Sequence, residues 1–201
     1  MYSRGMNKIF VWLRITVIMC AVLLLSSCQQ RATPRPDGYF RIEPYPASYT
    51  PYRLGTITLH VNDSAQCVVA KGGEQRGAHW LNVVYPRYHA TIYLRYIPLE
   101  GDIERVMGES IDLVYRQNVI TEQVEAVAYE DVERGLYATL YSLSPESATP
   151  LQFIATDSVA YLLRGALYFD APVKTDSVAP SLHYIEADIM QMVESITPIT
   201  R

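Results

Sequence analysis

Four histidines and three cysteines have the widest chemical repertoire in this chain, yet only one of the seven sits in a pattern that specifies a reaction. His60, His79, His89 and His183 form no i,i+4 pair, and no cysteine or carboxylate lies at ligand spacing from them. No metal is expected. G-x-S-x-G, the P-loop pattern and C-x-x-C are all missing, and no base is nominated for a serine nucleophile. The chain therefore reads as non-enzymatic, with no catalytic residue and no cofactor. The exception is Cys28. Leu25-Ser26-Ser27-Cys28 has the form of a bacterial lipobox. Small residues at 26 and 27 fit a signal-peptidase cleft, and the thiol then carries diacylglycerol through a thioether. The alternative is an ordinary signal anchor that keeps its helix.

The residues upstream fit the first reading. Arg4 and Lys8 make a positive n-region, and Ile15 to Leu25 is apolar but shorter than the ~20 residues of a membrane span. Residues 1–27 are read as a lipoprotein signal peptide. Residues 28–38 are a polar, proline-bearing tether, and 39–201 form one globular domain. Cleavage leaves 174 residues and removes three cations and no acid, so the net charge moves from −4 to −7. Only Lys71 and Lys174 remain as lysines, which argues against nucleic acid as a partner. Cys67 is then the single unmodified thiol, so no intramolecular disulfide forms. It lies in a strand-like run and is expected to be buried. The expected partner at the N-terminus is the membrane, held through acyl chains that each contribute about 0.8 kcal/mol per buried methylene.

The elements that position everything else follow from periodicity. Tyr39–Glu43 reads as a short strand, followed by irregular chain through the prolines up to Tyr52. Period-two segments then predict strands at Thr56–Val61, Gln66–Lys71, His79–Tyr85, His89–Ile97, Gln123–Glu130, Leu136–Leu143, Leu151–Thr156 and Leu162–Phe169. Pro86-Arg87 makes a tight connection. In His89–Ile97, Ala90, Ile92, Leu94 and Tyr96 face one way, and His89, Thr91, Tyr93 and Arg95 the other. A 3.6 period predicts two amphipathic helices, near Asp102–Gln117, with a stripe that runs from Ile103 through Val106, Val114 and Tyr115, and near Val178–Ile196, with a stripe of Leu182, Ile185, Ile189, Met192, Val193 and Ile196 that Pro198 stops. Asp102 is placed to cap the first, and Asp176 or Ser177 the second, with Pro180 in its first turn. The expected class is α+β, a largely antiparallel sheet packed by two amphipathic helices, in the manner of a PsbP/Mog1-like sandwich.

Tyrosine is the compositional peculiarity: 15 of 16 survive cleavage, against three phenylalanines and one tryptophan. Rings with a polar tip suit half-wet surfaces and interfaces, and β-propensity alone also favours them. A peptidoglycan- or glycan-binding envelope module is the alternative function they suggest.

One segment is dense enough to carry a resemblance. Phe153-Ile154-Ala155-Thr156-Asp157-Ser158, then four residues, then Leu163-Arg164-Gly165-Ala166-Leu167-Tyr168-Phe169 resembles the signature of the gliding-motility lipoprotein GldD family of Bacteroidota. Gly38-Tyr39-Phe40-Arg41-Ile42, Trp80-Leu81-Asn82, Tyr85 to Ala90, Tyr93-Leu94-Arg95-Tyr96 and Asp176 to Pro180 are similar to further parts of it, while Thr50 to Lys71 matches loosely. The resemblance implies a lipoprotein on the periplasmic face of the cell outer membrane, an orientation that Gln29 and Gln30 fit because they are not the acidic run of surface-exported lipoproteins in that phylum; it also implies an accessory component of the gliding and type IX secretion machinery, with other envelope proteins of that machinery as partners and no catalytic residues. Thr156-Asp157-Ser158 is turn chemistry. Gly165 in a strand suggests a bulge or a close approach by another chain, and Arg164 is expected to pair with an acid inside the fold, the alternative being an acid on a partner. Arg164, Gly165, Tyr168, Phe169 and Asp157 are the candidate interaction residues.

Overall fold

The period-two segments assemble into a seven-stranded sheet. In a computed structural model, the chain is described over residues 43–70, 77–116, 124–143, 147–170 and 175–199, together with Trp12, Arg14, Val17 and Met19. It divides into two units, Met1–Gly38 and Tyr39–Arg201. In the first, the described residues are helical and exposed. No helix among the described residues is long and apolar enough to cross a membrane. Cys28, most of the strand expected at Tyr39–Glu43 and the turn expected at 71–74 lie outside the described residues.

The second unit contains β1 (Tyr49–Leu54), β2 (Ile57–Asn62), β3 (Gln66–Val69), β4 (His79–Tyr85), β5 (Ala90–Pro98), α1 (Ile103–Arg116), β6 (Glu125–Asp131), β7 (Leu136–Ser142), β8 (Leu151–Thr156), β9 (Tyr161–Phe169), α2 (Thr175–Glu194) and β10 (Thr197–Pro198). The large sheet has the order β3-β4-β5-β9-β8-β7-β6, and a small one has the order β1-β2-β10. Every described pairing is antiparallel. The class is α+β, as the alternation and the short turns predict.

Alternation divides the large sheet into two faces. Leu81, Val83, Tyr85, Ala90, Ile92, Leu94, Phe153, Leu163 and Leu167 form an inner face with α2 and the small sheet. The α2 stripe predicted from its 3.6 period supplies Ile185, Ile189, Met192, Val193 and Ile196 to that core. Among the described residues the outer face is covered at one end, where Val106 and Val114 of α1 pack on Tyr141, Leu143, Ile154 and Leu162. Asp102 stands just before α1, and its carbonyl accepts the first helical bond from Val106.

Four expectations need correction. Tyr49–Leu54 is a strand despite Pro51, because β1 is an edge strand with β2 as its one partner, where a missing donor is tolerated. Cys67 is exposed, because β3 is the edge of the large sheet and all four of its residues face solvent. Desolvation nevertheless raises its thiol pKa, so it is not a ready thiolate. Tyr115 of the predicted α1 stripe is exposed. The second helix starts at Thr175, which puts Asp176 and Ser177 inside it and Pro180 beyond its first turn.

A polar tie crosses the inner core. Asp188 of α2 is 7% exposed, and its Oδ1 accepts from the Tyr49 hydroxyl at 2.7 Å and from Asn62 Nδ2 at 3.3 Å. Burial, then the bond to Asp188, pushes the Tyr49 pKa up to about 12. The unfolded chain ionises this group near 10, so its contribution to stability is whole below pH 10 and declines as pH rises through 12. Chemical denaturation at pH 9 to 12 should show that decline, and Tyr49→Phe should make it shallower. Equal slopes for both proteins would contradict this.

Candidate docking face

Beyond α1, the described residues leave the outer face of β4, β5 and β9 open. Trp80 and Asn82 come from β4, Tyr93 and Arg95 from β5, and Arg164, Ala166 and Tyr168 from β9. Together with Phe169 and Asp170 at the rim they line a cleft of about 680 Å3, within the range of ligand sites. Trp80 is 45% exposed and Tyr93 48%.

Strand register brings the two cations together. Arg95 is paired directly with Arg164 across β5 and β9, and with Trp80 across β4 and β5. Its guanidinium lies 5.5 Å from the Trp80 ring centroid. Tyr93 and Tyr168 meet edge to face at 5.3 Å. Among the described residues no acid of the fold pairs with Arg164, contrary to the intramolecular pairing expected. Its Nη2 donates to Gln152 Oε1 at 2.9 Å, and fully buried Gln152 in turn donates to Thr149 Oγ1 at 2.9 Å. Arg164 Nε is buried without a hydrogen-bond partner. Burial holds the Arg164 pKa below its ordinary value. Arg95 pushes it the same way and Tyr168 opposes. Among the described residues no carboxylate lies within ion-pair distance of either arginine. Asp170, at the rim, faces His89 at 3.9 Å.

The sheet separates the five candidate residues. Arg164 and Tyr168 are on the open outer face. Gly165 and Phe169 have the opposite parity and belong to the inner face, although Phe169 also reaches the rim. Gly165 makes no bulge: the register runs unbroken through it to Leu94 on one side and Phe153 on the other. The close neighbour is the Phe153 ring of the same chain. Asp157 lies at the β8–β9 turn, where Oδ1 accepts from the N–H groups of Val159, Ala160 and Tyr161 at 3.0, 2.7 and 3.1 Å. The nine residues of β9 run from that turn to Phe169, about 30 Å at ~3.3 Å each. Trp80, Tyr93 and Arg95 were missed as site residues; their shared outward parity with Arg164 is visible only once β5 is known to pair with β9. No group of three or more potential metal-ligating side chains occurs among the described residues.

A family model for the gliding motility lipoprotein GldD matches residues 29–197, more than four-fifths of the chain. The chain belongs to the GldD family. No individual protein among the curated sequences matches it. The GldD match takes in both sheets, both helices and the open arginine-bearing face, and Cys28 is the residue immediately before it.

Proposed function

We propose that this GldD family lipoprotein, a gliding-motility-associated envelope protein, is a non-enzymatic docking subunit of the gliding and type IX secretion machinery. It is anchored through Cys28 to the outer membrane and faces the periplasm. The family match carries the reading. The open cleft supports a docking role over a catalytic one, since its lining of two arginines, Asn82, Asp170 and aromatic rings includes no Ser, Thr, Cys or Lys nucleophile. A sandwich of the PsbP/Mog1 kind remains the proposed relationship of the fold.

Cell fractionation tests the anchor. Cys28→Ala protein should leave the membrane pellet, because acyl burial is the main force holding it there. Its retention would refute the lipid anchor. Protease added to intact cells should spare the wild type; rapid digestion would refute the periplasmic orientation. A deletion strain should lose surface movement and secretion together. Loss of neither would remove the machinery from the proposal.

A further inference from the structure

We propose that Arg95 and Arg164 form a clamp for carboxylates, and that its occupant is an acidic extended segment of a partner protein lying along the open face of β4, β5 and β9. The proposal rests on the docking role above and names the chemistry of the partner. Two like charges directly opposite on one sheet face are destabilising unless something compensates them. Here no carboxylate among the described residues lies within ion-pair distance of either; Arg95 lies over the Trp80 ring, and Arg164 is fixed by a buried amide rather than free to swing into solvent. The fork of a guanidinium matches a carboxylate bidentately, and Gln152 occupies only Nη2 of Arg164. Trp80 and Tyr93 supply apolar area beside the cations, the composition of an interface hot spot. A glycan fits less well. Sugar stacking needs free ring faces, whereas Trp80 is engaged by Arg95, and Tyr93 and Tyr168 are set edge to face.

The test uses full-length protein purified in detergent and a fluorescein-labelled hexaglutamate peptide, read by fluorescence anisotropy against hexaglutamine. Hexaglutamate should bind and hexaglutamine should not, with affinity falling as salt rises. Arg95→Gln and Arg164→Gln should each weaken binding about tenfold or more. Arg95→Gln should leave the melting temperature unchanged or higher, because it relieves like-charge repulsion; a purely structural arginine would lower it. Equal binding of both peptides, or binding insensitive to both substitutions, overturns the proposal. So does arginine-dependent sedimentation with purified sacculi in the absence of hexaglutamate binding, which would assign the face to a glycan. If hexaglutamate binds as expected but the deletion strain moves and secretes normally, the machinery role fails and the clamp stands.

Discussion

Gly165→Ala is expected to destabilise the domain by about 3 kcal/mol. For a domain of this size that is a fall of about 10 °C in melting temperature. A Cβ at this position points into the ring of Phe153; even the third-nearest ring atom, Cδ1, would be 2.7 Å away. Phe153 is 1% exposed and sits among other buried side chains, so the ring has no space to vacate into. The two residues are register partners in β8 and β9, the ring lying over the glycine. Phe153→Leu should lower stability alone, yet raise it in the Gly165→Ala background, a reversal of sign that marks direct coupling. Thermal unfolding of the four proteins checks this. A Gly165→Ala protein that melts with the wild type would sink the packing account.

Asp188→Ala is expected to cost about 3 kcal/mol in urea unfolding for a different reason. The substitution removes an acceptor and leaves its donors buried. The Tyr49 hydroxyl loses its 2.7 Å bond; Asn62 Nδ2 keeps only the carbonyl of Pro46 at 3.1 Å. Asp188→Asn retains an oxygen that Tyr49 and Asn62 can both use, so it should cost much less. If the two substitutions cost the same, the carboxyl oxygen is not what holds α2 to β1 and β2.

The parts of this fold that were legible in the sequence were those set by local period. β4 and β8 have the bounds that alternation predicts, and α1 and α2 follow their apolar stripes. Asp157 was legible as a turn former because its chemistry is local: one carboxylate oxygen serves three N–H groups within four residues. Long-range pairing was not legible. Arg95 and Arg164 meet because β5 lies beside β9, and no local property of either strand names its neighbour. Cys67 failed for a related reason: Val68 and Val69 look like core, but β3 is an edge strand with both faces open. Pro51 argued against a strand that only an edge position permits, and Pro198, read as a helix stop, ends inside a two-residue strand.

That last strand bears on the timing of folding. β10 pairs with β2, Ile199 donates to the carbonyl of Thr56 at 2.8 Å, and Ser195 Oγ accepts from the His60 N–H at 2.7 Å. The small sheet therefore joins the beginning of the domain to its final residues. The middle of the large sheet likewise waits for β9, with Ala90 reaching across to Phe169. Contacts of such separation form slowly and late, because loop closure must be paid before they reward it. Synthesis order and completion order thus diverge. The centre of the large sheet can be complete only after Phe169 has been made, and the small sheet, begun by the first hairpin, only after Thr197 and Pro198.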